Sequence, residues 1–344
     1  MKILLLTHAF HPLVGGLETV AKVLANEFCA LGHEVRLVTP TPASSDDDDA
    51  QRFGFPVYRQ PSAVQLLKLT RWCDIFFQNN ISLQTWWPLL ILRRPWVVAH
   101  QTWLTREQGH RGWQDHLKQM LIIFGSPIAI SRAMATSLLP VPTVIIGNPY
   151  EASRFRILPD VPRDRQLAFL GRLVSDKGMD LVLDALVLLK KEHRLTPSLT
   201  VLGDGPEMPH LRAQCTRLGL DAQVTFAGTV TGDDLVRALN RHRILVVPSR
   251  LAEPFGVVAL EGAACGCLVV GSSQGGLGDA IGEAGLTFPN NRSDALAKQL
   301  ARALTDQALV AKLRERAPAH LAQFHPRRVA EAYLEVFARR VKTP

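Results

Sequence analysis

The stretch EPFGVVALEG, residues 253–262, holds two carboxylates, Glu253 and Glu261, eight positions apart on an otherwise almost wholly apolar segment. Two acids so close in sequence raise the chemistry of a general acid working with a base or nucleophile. Read as a helix opened by Pro254, the segment carries Glu253 at its mouth and Glu261 about 12 Å further along, at about 1.5 Å per residue and an angular offset of about 80°. Carboxylate pairs that cleave glycosidic bonds stand about 5 to 9.5 Å apart, so the spacing fits an acid/base pair poorly. It suits two handles on a long ligand, with the first N–H groups of the helix, near Phe255, Gly256 and Val257, holding an anion between them. The plainer account is two acids that complement a helix start and a surface.

A second constellation is GRLVSDKGMD, residues 171–180, directly after the apolar run QLAFL. It puts Arg172 and Lys177 on one loop that also contains Gly171 and Gly178. Arginine can grip a phosphate with two parallel N–H donors and lysine acts as a point charge, so the pair is able to converge on one diphosphate. Two solvated surface charges are the alternative. A third, HPLVGGLETV, brings Gly15 and Gly16 to the place where the first apolar run ends and a helix begins, where unpaired N–H groups meet an anion. It is not the G-x-G-x-x-G fingerprint, and a tight turn is the competing account. Two metal readings fail. The aspartates at 46–49 in TPASSDDDDAQ have no apolar frame to fix them and read as a solvated mobile loop, and Cys265 and Cys267 lack companions at ligand spacing.

The elements that must position these residues follow a βαβ rhythm, short β-branched runs alternating with stretches of helical period. KILLLT, EVRLVT, DIFF, WVVAH, PIAI and TVIIG form one set of strands, and QLAFLG, SLTVLG, QVTFAG, ILVV, CLVVG and GLTF a second. The fold class expected is α/β, two Rossmann-like doubly wound parallel sheets. The Pro- and charge-rich segment 148–165 reads as the linker, giving domains over 1–160 and 161–325, with a helix over 326–344 that packs back on the first. Ligands of open α/β sheets sit at the carboxyl ends of the strands, so tandem domains are expected to face one another across a cleft. Val329, Tyr333, Val336 and Phe337 make a helical stripe that needs a packing partner.

The chain is long enough, at 344 residues, for two ordinary cores. Its formal net charge of +8 favours an anionic partner. The basic residues recur as pairs rather than as a tract interleaved with aromatics, which argues against nucleic acid. The opening MKILLLTHAF reads as a strand rather than a secretion leader, and Arg93, Arg94 and Pro95 interrupt the best spanning candidate. Five scattered cysteines, an odd number, suit reduced thiols in a cytoplasm.

Taken in order, these motifs resemble a known family. SRLAEPFGVVALEGAACGCLVVGSSQGG resembles the donor-site segment of the retaining glycosyltransferases of family 4, which share the GT-B fold. The likeness covers most of the chain: the Gly15–Gly16 loop, LGHEV, His100 closing PWVVAH, GRLVSDKG, LGDGPE, VTFAGTV, the paired glutamates and QGG. The resemblance implies that Arg172 and Lys177 hold the diphosphate of a nucleotide sugar, that Glu261 binds the ribose hydroxyls, and that Glu253 binds hydroxyls of the donor sugar. It implies further that Phe255, Gly256 and Val257 touch sugar and phosphate, that Gly16 closes over the phosphate, that His100 lies near the reacting sugar, and that Thr229 and Val230 lie beside the base. The implied reaction is front-face transfer with retention of configuration, from a UDP- or GDP-sugar to a glycan, lipid-linked or small-molecule hydroxyl, with no metal and no cofactor besides the co-substrate. Departures occur at NPYEASRF, where the family more often has a glycine after the asparagine, at Gln78–Asn80, where relatives often have histidines, and after QGG. A nucleotide-sugar epimerase of the same fold and a non-catalytic sugar-nucleotide binder are the alternatives. RGWQDHLKQMLIIFG, residues 111–125, is amphipathic through Trp113, Leu117, Met120, Leu121 and Phe124. Core packing is the reading favoured for it, and peripheral contact with an anionic membrane at the inner face is the other.

Overall fold

The computed structural model describes residues 1–13, 15–43, 49–104 and 112–342. They divide into two compact units, unit 1 comprising Met1–Tyr150 with Phe324–Pro344, and unit 2 comprising Glu151–Gln323.

Unit 1 holds seven strands: β1 Lys2–Leu6, β2 Glu34–Thr39, β3 Val57–Arg59, β4 Ile75–Asn79, β5 Trp96–His100, β6 Ser126–Ala129 and β7 Val144–Ile145. They form one sheet in the order β3-β2-β1-β4-β5-β6-β7, every pairing parallel. Its helices are α1 Gly16–Ala30, α2 Asp49–Phe53, α3 Ala63–Trp72, α4 Leu83–Trp86, α5 Trp113–Ile122 and α6 Arg132–Ser137. The central strands β1, β4 and β5 are largely apolar and buried because both faces are covered, while the edge strands β3 and β7 are half-buried or exposed. Alternation divides the side chains. Leu4, Phe76 and Val98 point to one layer with Leu66, Leu69, Ile122 and Met134, and Phe77 points to the other.

Unit 2 holds β8 Arg165–Leu170, α7 Met179–His193, β9 Leu199–Leu202, α8 Met208–Arg217, β10 Val224–Gly228, α9 Gly232–Arg241, β11 His242–Val247, α10 Val257–Ala264, β12 Leu268–Ser272, α11 Leu277–Ile281, β13 Leu286–Phe288, α12 Ser293–Thr305 and α13 Gln307–Gln323. Its six strands run parallel in the order β10-β9-β8-β11-β12-β13. Leu167, Phe169, Ile244 and Val246 pack with Val182, Leu186, Leu296 and Leu300 in its core. The last helix, α14 Pro326–Lys342, returns to unit 1. Tyr333 and Phe337 close on Phe28 of α1 and Phe77 of β4, with ring centroids 5.2 to 6.5 Å apart.

Several expectations change. The strand β3 is new; its three residues lie between Pro56 and a turn and present only a half-buried edge. The unit boundary falls at Tyr150/Glu151, inside the segment read as the linker and ten residues before the domain limit expected at 160/161. Segment 151–164 is fastened to unit 2: Asn240 bonds Arg156 O and Leu158 N, and Arg163 donates to His242 O and Cys265 O. Of the acidic run, 46–48 lie outside the described residues. Asp49 is not a solvated like charge, since its carboxylate takes two donors from Arg59 at 2.7 and 2.8 Å. Core packing of segment 111–125 holds for Leu121 and Ile122, with Leu117 partly buried against the same cluster; Trp113, Met120 and Phe124 are 72%, 66% and 68% exposed. Arg111, which opens that segment, lies outside the described residues.

Candidate functional site

In unit 2 the loop after β8 is held from two sides. Leu173, fully buried, bonds the LGDGPE turn through its N–H to Asp204 O at 2.9 Å and through its carbonyl to Glu207 N at 3.0 Å. Lys177 ends a single 3₁₀ turn, Ser175–Lys177, and Gly178 follows it in the left-handed region at φ +67. A Cβ at Gly178 would come within 2.2 Å of Pro248 O. Only glycine lets this loop lie flat against the end of β11. The Arg250 N–H donates to Asp176 O at 2.8 Å, and the Arg250 guanidinium clamps Asp180.

That docking brings Lys177 to Glu253. The Lys177 ammonium lies 2.5 Å from Glu253 Oε1, and the Ser249 hydroxyl donates to the same oxygen at 2.7 Å. Both contacts fall on one carboxylate oxygen, and an ammonium has three N–H donors, so two remain for an anion. The Glu253 backbone is fixed by pairing with Gly275 and by the Gly276 N–H, which donates to Glu253 O at 2.7 Å. Asn290 completes the frame, donating to Ser249 O and accepting from Gln274 N, both at 3.0 Å.

The helix expected from Pro254 begins three residues later. Gly256, at φ +101, caps α10, and its missing Cβ would meet Leu277 Cδ1 at 2.6 Å. A left-handed residue cannot lie inside a right-handed helix, so Glu253 belongs to the preceding turn, and the 12 Å helical separation from Glu261 does not apply. Phe255 is buried at 2% exposure, and the first free N–H groups of α10 are those at Val257 and Val258. Glu261 lies one turn into α10 and is half-buried. Burial, with Glu151 adding to it and Arg154 opposing, pushes its carboxyl up to about 7.

The other expected residues are placed less tightly. Gly171 follows β8, with Arg172 beside it and exposed; the structure shows no contact between Arg172 and Lys177. Thr229 is exposed and Val230 half-buried in the turn after β10. Gly228, just before them, accepts from Gly203 N at 2.7 Å. In unit 1, Gly15 caps α1 in the extended region and Gly16 is its first residue, with open space where a Cβ would stand. His100 closes β5, wholly buried, with neither ring nitrogen bonded among the described residues. Burial drives the ring down to about 4, so it is neutral at pH 7. Val14, between His11 and the Gly15–Gly16 pair, lies outside the described residues.

Residues 152–320, which carry nearly all of this unit 2 geometry, match the family model "Glycosyl transferases group 1". Over those residues the chain belongs to that family. The glycogen synthase of Mycobacterium tuberculosis is 26% identical over 92% of this chain and 89% of its own length. The D-inositol 3-phosphate glycosyltransferase of Acidothermus cellulolyticus is 35% identical over 56% of this chain and 45% of its own. Among solved structures, Anabaena Alr3699/HepE in complex with UDP superposes at a TM-score of 0.83 with 22% identity, over 98% of this chain and all of that one. The two sheets are therefore those of the GT-B fold.

This glycosyltransferase holds site residues that spacing alone did not single out. Ser249 sits four positions before Glu253 at the end of a strand, and its hydroxyl was the only signal. Arg250 and Asp180 frame Lys177 from elements 70 positions apart, which no local pattern reports. Glu151 and Arg154, 3.4 Å apart, come to Glu261 from the segment read as a linker.

Proposed function

We propose that this glycosyltransferase binds a nucleoside-diphosphate sugar on unit 2 and transfers the sugar, with retention of configuration, to a hydroxyl of a glycan, lipid-linked or small-molecule acceptor. The observation that carries the reading is the shared oxygen of Glu253. With Oε1 held by Lys177 and Ser249, Oε2 is the oxygen a donor-sugar hydroxyl would meet, while the remaining Lys177 donors and the N–H groups of Val257 and Val258 meet the diphosphate.

In this reading Lys177 and Arg172 stabilise the negative charge that grows on the departing diphosphate, which is where a preorganised site lowers the barrier most. Backbone at Phe255, Gly256 and Val257 touches phosphate and sugar, Glu261 takes the ribose hydroxyls, and Gly171, Thr229 and Val230 border the nucleotide. From unit 1 we assign Gly15 and Gly16 to phosphate contact and His100, neutral, to the sugar. A phosphate oxygen of the leaving group takes the acceptor proton in a front-face step. Two cations and a helix start supply the neutralisation a metal otherwise gives, so we propose that none is required. A uridine donor is the first choice, because the Anabaena neighbour is solved with UDP and with UDP-glucose.

The five cysteines are free thiols, four of them buried, which fits a reducing cytoplasm. No helix among the described residues is long and apolar enough to cross a membrane, and we place the enzyme peripherally at an anionic one. The test of the donor reading is a thermal-shift panel of UDP-, GDP- and ADP-sugars, followed by NMR of the product. A donor at about 100 times its Kd stabilises by about 2.7 kcal/mol. No shift with any donor, an inverted anomeric product, or epimerisation of the donor without acceptor would overturn the proposal.

A further inference from the structure

Unit 1 carries an apolar surface that the transfer chemistry does not use. Along α5 and the turn after it, Trp113, Met120, Ile123 and Phe124 stand 72%, 66%, 67% and 68% exposed. Their spacing, i, i+7, i+10 and i+11, is that of one helical stripe, and it faces outward while Leu121 and Ile122 face the core. Beside it runs a groove of about 610 Å³ lined by Ile123, Pro127, Pro140, Val144, Arg339 and Arg340. Leu139 and the short edge strand β7 extend the apolar rim, at 70% exposure for Leu139 and 50% for Ile145. Side chains of this size scattered singly need no explanation, but a contiguous set with a groove through it marks an interaction site.

The cations decide the partner. Arg339 and Arg340 line the groove from the last turn of α14, with Lys342 next in that turn. Arg340 donates through Nη2 to Phe124 O at 2.8 Å, which ties α14 to the end of the exposed stripe, yet its Nε is buried without a partner among the described residues. Arg339 has only a loose pairing with Glu335 at 3.5 Å, both groups largely exposed. An aromatic and aliphatic stripe rimmed by guanidinium groups matches an anionic bilayer surface, where apolar side chains enter the acyl boundary and cations meet phosphates.

We propose that this face docks an anionic phospholipid bilayer, with Trp113, Met120, Ile123 and Phe124 in the acyl boundary and Arg339 and Arg340 holding a headgroup phosphate at the mouth of the groove. This deepens the membrane contact proposed above and rests on unit 1 alone. The donor residues of unit 2 take no part in it.

The test is co-sedimentation of the full chain with phosphatidylcholine vesicles with and without phosphatidylglycerol, at low and high salt. Binding is expected only with phosphatidylglycerol, and it should fade as salt shortens the screening length to a few ångströms. Ile123→Ser with Phe124→Ser should weaken it at least about tenfold, since each side chain loses most of a buried apolar contact. Arg339→Ala should weaken it about fivefold. Both variants alter exposed positions, so melting and donor hydrolysis should match the parent. No binding at low salt, equal binding to pure phosphatidylcholine, or binding that ignores the variants would overturn the proposal. So would a dimer in light scattering that the double substitution dissolves, which would assign the face to a second copy. A parent that binds vesicles as expected but hydrolyses no donor would leave this proposal standing and remove the donor reading instead.

Discussion

Lys177→Ala separates two quantities that one side chain controls. The Lys177 side chain is 33% and the Glu253 side chain 18% exposed, and their charged groups meet at 2.5 Å. A pair this open to water contributes about 1 kcal/mol or less to folding, and the Ser249 hydroxyl still bonds Glu253 in the variant. For a unit of this size that is a fall of about 2 to 4 °C in melting temperature. The rate is a different matter. A preorganised donor aimed at developing negative charge contributes about 2.7 to 4 kcal/mol, or about 100- to 1,000-fold in turnover. Donor hydrolysis measured over substrate concentration, beside a melt of the same preparation, reads both. Turnover within a few fold of the parent, with the small melting shift intact, would refute the role given to Lys177. A fall of tens of degrees would refute the claim that the pair is only loosely structural.

Ser249→Ala removes a buried hydroxyl that bonds a charged group at 2.7 Å, an interaction of about 1.5 to 3 kcal/mol; donor kcat/KM should fall about 10- to 100-fold, more than for Glu335→Ala on unit 1, and an unchanged value would show that Lys177 alone positions Glu253. Glu261→Gln tests the half-buried carboxyl on α10. Its folded value near 7 lies above the ordinary 4.5, so the folded state binds the extra proton between those values and stability should drop as pH rises from about 4.5 to 7, then level off. The variant should lose that slope, and parallel melting-temperature profiles from pH 4 to 8 for parent and variant would sink the argument.

The sheets were legible because a strand covered on both faces is apolar along its whole length, as at KILLLT and ILVV, and the helices between them keep a 3.6 period. What escaped was geometry set by single backbone torsions. Pro254 is a sound helix opener by type, but Gly256 turns left-handed two residues later, where Leu277 crowds its α-carbon, and no local pattern shows that crowding. Burial escaped too along α5 and the turn after it, where Trp113 and Phe124 look like core residues in the sequence and stand exposed. A helical stripe says that one face is apolar; it does not say that a partner within the chain covers it.

The two carboxylates of EPFGVVALEG are thus unequal, and the difference lies in their surroundings. Glu253 stands on a turn, shares one oxygen between an ammonium and a hydroxyl, and is held ready as an acceptor. Glu261 stands on a helix among apolar neighbours, with Glu151 near, and resists ionisation until about pH 7. A carboxyl that is still partly protonated at neutral pH both donates and accepts, which suits a pair of vicinal hydroxyls better than it suits a cation. On the donor reading proposed above, the fixed acceptor would face the sugar that is transferred, and the adaptable one the ribose hydroxyls that are only held.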